Sequence, residues 1–306
     1  MTKSARAVPF PATARPALAA GLAIAIGGAV LFSTKASVAK LMYRYQVDAI
    51  TVVALRMMFS VPVFAAIAIW QMQNKPALCA ADRWRLVGMG LVGYYLSSTL
   101  DFLGLQYISV GLERLILFLT PTFVLLFTSV FLKRHISAMQ WLALAVSYCG
   151  IVLVFAHDLQ NGLGTVITGA SLVLGSAIAY AAYLLLSGEL VQRIGATRLV
   201  SYAMCVASAA CIAQFFVLRP AAMLVQPAAI YWLSLVNGIL CTLLPVFMTM
   251  VAVQRIGAAT ASQAGMVGPV STLFLGALVL GEPITAIQLG GTALVLSGIY
   301  MLSRKK

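Results

Sequence analysis

Charge is the scarcest ingredient of this sequence. Only 9% of its 306 residues are Asp, Glu, Lys or Arg, and Asp and Glu together number 7. A soluble domain carries about a quarter charged residues, so a water-facing surface is excluded and lipid must cover most of the outside. Histidine occurs twice, as His135 and His157, which fall at opposite membrane faces and cannot share a metal. The five cysteines form no CxxC pair and, Cys79 apart, lie in apolar runs, where they act as small packing residues. No HExxH, no Cys/His cluster, no strand-linked GxGxxG and no P-loop occurs, which excludes ATP-driven work by this chain alone. No Ser/His/Asp set can be assembled at one depth. The chain is therefore not expected to be an enzyme or to carry a cofactor or metal. The net charge of +13 would point to nucleic acid in a soluble protein. Here the basic residues cluster at helix ends, so no nucleic acid is expected and the excess sets membrane orientation.

What the sequence has is apolar length. Hydrophobic residues make up 62% and the mean hydropathy is +1.01. One helical span needs about 20 apolar residues. Ten spans are expected, at about 17–41, 49–70, 86–106, 110–132, 137–156, 164–188, 199–218, 229–253, 258–280 and 285–303. Lys3, Arg6 and Arg15 precede the first apolar run, which reads as a first span rather than a signal peptide because further spans follow it. With the N-terminus inside, both termini and the basic loops of Lys75, Arg83, Arg85, Lys133, Arg134, Arg193, Arg198 and Arg255 share one side. The expected class is all-α integral membrane, N-in and C-in.

An internal repeat organises the chain. Pro121 and Pro269 are 148 residues apart, and the same offset pairs Gln106 with Gln254, Ile108 with Ile256, Gln140 with Gln288, and Gly150 with Gly298. Extended backward, it sets helix 1 on helix 6 and helix 2 on helix 7, so the unit is five helices. An odd number of crossings turns the second copy upside down. Two inverted five-helix halves are a signature of alternating-access transporters. The blander reading is a duplicated bundle without transport.

Two stretches carry a family likeness. Gly111–Phe155 reads GLERLILFLTPTFVLLFTSVFLKRHISAMQWLALAVSYCGIVLVF, and Gly257–Leu302 reads GAATASQAGMVGPVSTLFLGALVLGEPITAIQLGGTALVLSGIYML. Each has small polar residues, a proline, an apolar run, a short turn and a glycine-rich closing helix. With Leu55-Arg56 in helix 2, the chain resembles the drug/metabolite transporter (DMT) superfamily, in its ten-helix branch of paired EamA-type domains. The first copy departs at the turn, with Lys133-Arg134-His135 where Gly281-Glu282-Pro283 is typical. The resemblance implies a cytoplasmic tail over 1–16, a first EamA-type repeat over 17–156, a second over 157–303 and a basic cytoplasmic tail over 304–306. It implies a secondary transporter of a small metabolite or drug, with efflux ahead of uptake or exchange of an amino acid or nucleotide-sugar. A non-transporting membrane scaffold or sensor is the remaining class. The alanine-rich, short-looped style is that of a bacterial inner membrane protein.

Five ionisable residues fall within spans and in the outer half of the membrane: Lys35, Arg56, Asp101, Glu113 and Arg114. A central charge costs about 2.5–3.5 kcal/mol, so five left unpaired would cancel the stability of a typical domain, about 5–15 kcal/mol. They must be paired, wet or near an interface. Their sum is positive, which favours an anionic or zwitterionic cargo; the alternative is an ion-pair cluster that only locks helices 1 to 4 together. Glu113 and Arg114 are adjacent and point about 100° apart, so one is expected at the centre and the other at headgroup level. At the 148 offset Arg56 faces Met204 and Lys35 faces Tyr183. Polar stripes add Tyr94 and Ser98 on helix 3, Tyr180 and Tyr183 on helix 6, and Gln263 on helix 9 as substrate-binding candidates. Pro121 and Pro269 are hinge candidates. Gly88, Gly290 and Gly291 permit close contacts, within one chain or in a homodimer. The expected partners are a small-molecule substrate and the lipid bilayer.

Overall fold

The protein is described by a computed structural model over residues 14–133, 137–158, 163–256, 264–265 and 267–303. Among these residues there is no strand. Helix α1 spans Ala14–Arg44 and α2 Ala49–Asn74. Helix α3 runs from Ala80 to Leu105. Helix α4 opens with Val110–Leu117, breaks, and resumes as Thr120–Leu132. Then come α5 (Ala138–Asp158), α6 (Leu163–Ile194) and α7 (Ala196–Leu218). Helix α8 passes through Ala228–Leu235, Val236–Leu243 and Leu244–Ile256. Helix α9 joins Val267–Leu275 to Gly276–Leu280, and α10 is Ala286–Ser303. Eight of these helices are long and apolar enough to cross a membrane, and α9 and α10 are shorter apolar helices.

Helix α3 starts at Ala80 rather than near 86, and α6 continues to Ile194 rather than to about 188. The extra turns carry Asp82, Arg83, Arg85 and Arg193, whose polarity hides them from a hydropathy reading. The outward face is apolar, and all four tryptophans stand on it: Trp70 is 58% exposed, Trp84 75%, Trp141 55% and Trp232 67%. Each lies within about two turns of a helix end, the level at which amphipathic rings collect in a bilayer. Cys149 also stands exposed there rather than packed inside. This is a multi-pass integral membrane protein.

Side chains close the helix starts. Asp48 accepts from Ile50 N at 3.2 Å to begin α2, and Ser109 accepts from Leu112 N at 3.2 Å to begin α4. Ser137 and Gln140 cap α5 reciprocally: Ser137 N donates to Gln140 Oε1 at 2.9 Å, and Gln140 N donates to Ser137 Oγ at 3.4 Å. Thr285 and Gln288 repeat the exchange at α10, at 3.3 and 3.1 Å. The repeated glutamines are thus capping-box residues. The turns that precede these caps also agree: Lys133 and Gly281, 148 apart, both take the left-handed conformation, with φ of 50° and 73°. This position keeps its backbone conformation although its residue differs.

Packing follows the same offset. Helix α1 lies along α8 as α6 lies along α3, while α2 pairs with α7 and α5 with α10. A Cβ on Gly21 would sit 2.3 Å from Ile256 Cγ2, and one on Gly169 would sit 2.7 Å from Ile108 Cγ2. At the α5–α10 seam, a Cβ on Gly150 would lie 2.5 Å from the Gly291 carbonyl, and one on Gly298 would lie 2.5 Å from the Ala143 carbonyl. Gly150 therefore meets the start of α10 and Gly298 the start of α5, so these equivalent helices run antiparallel. Gly291 is used up inside the chain. One detail differs from the sequence alignment. Gly90 packs on the Ala203 carbonyl and its equivalent Gly238 on the Arg56 carbonyl, so Arg56 corresponds to Ala203, not Met204. The α1–α2 and α6–α7 connections differ in length, which slips the offset by one.

Ties between the two halves sit at both ends of the bundle. At one end Arg219 Nε, at the close of α7, meets Asp48 at 3.1 Å, and Arg44 donates to the Leu280 carbonyl at 2.5 Å. At the other, Arg193 pairs with Asp82 and Arg198 donates to the Pro76 carbonyl at 2.7 Å.

The α5–α10 seam generates a stability prediction. Gly298→Leu should destabilise the protein by about 1–3 kcal/mol or more through overpacking. Gly290→Ala should be near neutral, because its Cβ would meet Leu153 at an ordinary 3.8 Å. Thermal unfolding of the purified protein in detergent reads both; an unchanged Gly298→Leu midpoint would refute the seam.

Candidate functional site

Local irregularity shapes the middle of the bundle. Over Gly90–Leu96 and Val236–Leu243, α3 and α8 widen into π-helical turns, a device common at functional sites. The two stretches are repeat equivalents. In the first, Gly93 has no side chain because a Cβ would sit 2.3 Å from the ring of Tyr183. That close approach brings Tyr183 to Tyr94, with hydroxyls 3.2 Å apart and ring centroids 4.9 Å apart. Tyr180 stacks on Tyr183 at 5.6 Å. Helix α4 breaks at Phe118–Leu119, where Leu119 N bonds the Ile116 carbonyl three residues back. Thr120 Oγ1 donates to the freed Leu117 carbonyl at 2.7 Å. Pro121 stands in the first turn of the new segment rather than in mid-helix, where its missing N–H costs nothing. Its counterpart Pro269 likewise follows the start of Val267–Leu275.

Around these irregularities lies a cavity of about 340 Å³, bounded by α1 to α4 from the first half and α6, α7 and α8 from the second. Lys35, Arg56, Tyr94, Ser98, Asp101, Arg114 and Tyr180 all line it, as does Pro121. Sequence candidates from five different helices are thus brought together. Glu113 stands behind the wall, fully buried, and Tyr183 forms the layer behind Tyr94. Gln263 lies outside the described residues.

The ionic arrangement is ordered. Lys35 Nζ meets Asp101 Oδ2 at 2.5 Å and Glu113 Oε1 at 3.8 Å. One ammonium from α1 therefore answers carboxylates from α3 and α4. The rings of Phe32 and Phe102 flank it at 5.3 and 5.5 Å. Arg56 lies 4.9 Å from the centroid of Phe102, and Arg114 lies 5.1 Å from that of Phe32 and 5.4 Å from that of Phe118. Three cations thus alternate with aromatic faces, whose quadrupoles attract positive charge. Arg56 Nη2 donates to Ser98 at 3.3 Å and Arg114 Nη2 to Ser33 at 3.1 Å. Neither arginine has a carboxylate partner among the described residues.

Glu113 and Arg114 are both buried, 0% and 6% exposed, so neither stands on the outer surface of the bundle. Helix α4 packs against α1, α3, α5, α6 and α9, so two side chains 100° apart both point inward. Phe32, Phe102 and Phe118 escaped the sequence reading, since one phenylalanine in an apolar helix looks like any other. Their spacing, three residues before Lys35 and four after Arg114, is the signal that was present.

The Lys35 junction makes a prediction. Lys35→Met strands two buried carboxylates and should cost about 3–5 kcal/mol. The double variant Lys35→Met, Asp101→Asn should lose much less than the sum of its singles. Additive losses in thermal unfolding would mean that the pair is not formed.

Known proteins agree with this geometry. The model of the EamA-like transporter family matches twice, over residues 19–156 and 167–304, which are the two copies at the 148-residue offset. The "Uncharacterized transporter YcbK" of Bacillus subtilis (strain 168) is 32% identical over 289 residues, covering 92% of this chain and 93% of the relative. An "Uncharacterized transporter" of Archaeoglobus fulgidus is 27% identical over 236 residues, covering 74% and 79%. A solved crystal structure, 16% identical, shares the fold with a TM-score of 0.64 over 93% of this chain and 96% of its own. The chain belongs to the EamA-like transporter family.

Proposed function

We infer that this protein is a secondary transporter that exports a small metabolite or drug across a bacterial inner membrane by alternating access, with cargo held in the 340 Å³ cavity. In this reading ten spans form two inverted five-helix halves, N-terminus and C-terminus in the cytoplasm. The observation that carries it is the cavity itself, a charged and aromatic chamber in the interior of the bundle, walled by both halves. A pocket of this size suits a small molecule. The antiparallel α5–α10 seam, where repeat equivalents exchange contacts, supports the inversion. The ties at both ends support a gated chamber: Asp48–Arg219 would bar the outer exit and Asp82–Arg193 the inner one. Pro121 and Pro269, each at the start of a helical segment, are where bending would be absorbed.

Mass spectrometry of medium and cytosol tests the function. Cells overproducing the protein should release one compound class that cells with an equally abundant Arg56→Ala, Asp101→Asn variant retain. A rise in the internal pool would reverse the direction to uptake, and no difference between the two would remove the cavity from transport. The gates are tested separately by labelling Thr242→Cys in a cysteine-free chain with an impermeant maleimide. Asp82→Ala should increase labelling from the cytoplasmic side and Arg219→Ala from the outside. Equal labelling in the two backgrounds would remove the gating role.

A further inference from the structure

The two arginines on the cavity wall are only partly matched by the protein, each through one serine and neighbouring phenylalanine rings. Arg56 is 4% exposed and Arg114 6%, yet Arg56 Nε and Nη1 and Arg114 Nε have no hydrogen-bond partner among the described residues. Desolvated N–H groups left unsatisfied are costly, and more so on a charged guanidinium. They flank Lys35, and Lys35 is already matched by Asp101 and Glu113. Counted together, Lys35, Arg56 and Arg114 exceed the two carboxylates by one positive charge. Beside the hydroxyls of Ser97, Ser98, Thr120, Ser176 and Thr242, the wall has an apolar and aromatic part: Leu117, Phe118, Leu184, Met204, Val246 and the ring of Tyr180.

We propose that Arg56 and Arg114 form the head-group seat for an amphipathic organic monoanion, whose carboxylate or similar head takes their free N–H groups while its apolar body lies against the Tyr180–Leu184–Met204 wall. This rests on the reading of the cavity as the cargo site and narrows the cargo class. One acidic head cancels the single excess charge, and its two oxygens can accept a charge-assisted hydrogen bond from each arginine. A small inorganic anion would leave the apolar wall unoccupied. An additional ammonium on the cargo would leave the excess positive charge standing, even though Asp101 Oδ1 is free to accept from it. A neutral isostere brings no charge to the arginines.

The test is binding to the purified full chain in detergent, measured by calorimetry and thermal shift, with 3-phenylpropionate, 3-phenylpropanol and 3-phenylpropylamine as probes. The propionate is expected to bind at least tenfold more tightly than the alcohol, and the amine more weakly still. Arg56→Met and Arg114→Met should each weaken propionate binding at least tenfold and leave the alcohol unchanged. Alcohol or amine binding as tight as the anion, or parental affinity for the anion in both variants, would overturn the proposal. The contrast between anion and alcohol on the parental protein stands even if a variant fails to fold. Metabolite release separates the two readings. Anion binding lost in the variants with release unaltered would uphold the seat and sink the transport function. Release of a neutral or cationic compound that ignores both arginines would do the reverse.

Discussion

A single ammonium in a low-dielectric bundle holds the first half of this protein together. Lys35 reaches Asp101 on α3 and Glu113 on α4 from its place on α1. Outside water, an unmatched carboxylate is costly enough that the three helices cannot separate without replacing that contact. Phe32 and Phe102 rest on the same ammonium and extend its reach to Arg114 and Arg56. The cavity is where this chain of charges is not closed by protein. Charged and aromatic side chains therefore line together an interior that the helices would otherwise have filled with leucine.

The backbone is two-fold and the chemistry is not. Glycines 148 apart make equivalent approaches at Gly21 and Gly169, and at Gly150 and Gly298. The reciprocal caps at Ser137 and Thr285 repeat as well. At the charged positions the copies part. Tyr183 stands where Lys35 does, Thr249 where Asp101 does, and Ala203 where Arg56 does. Close backbone packing constrains both copies alike, because a Cβ at those glycines would collide in either half. Side chains that face a cavity have no such restraint. A duplicated fold can thus keep its seams while one half acquires the charges and the other supplies tyrosines.

Much of this was legible in the sequence for physical reasons. Twenty apolar residues announce a span, and charges inside a span announce one another, so Lys35, Arg56, Asp101 and Arg114 were readable as a cluster before any coordinate. That Glu113 and Arg114 are both buried was not legible, because helical angle alone cannot tell that α4 is surrounded on several sides. The ends of α3 and α6 were cut short because hydropathy stops at the first charge, whereas Asp82 and Arg193 prolong their helices by pairing with each other. The phenylalanines beside the cations were invisible, since attraction between a ring and a cation depends on an approach across helices that spacing along one chain does not display.

The irregular turns show why the charged chamber lies where it does. A straight, fully bonded helix offers its neighbours only side chains. The widened turns of α3 and α8 and the break in α4 at Phe118–Leu119 surrender regular backbone bonding in return for a displaced backbone next to the cavity. In lipid such freed groups must be satisfied locally, and Thr120 does this for the Leu117 carbonyl. The break therefore persists only because a hydroxyl is positioned one turn on, and the proline that follows it cannot restore the missing bond. Arg114 lies four residues before Phe118 on the upstream piece, and the Gly268 carbonyl beside Pro269 lies 3.0 Å from the serine hydroxyl that accepts from Arg114. Arg114 is thus carried by the first piece of α4 and linked to α9 through one hydroxyl of α1, so the segments that begin at Thr120 and Val267 are tied together beside the cavity.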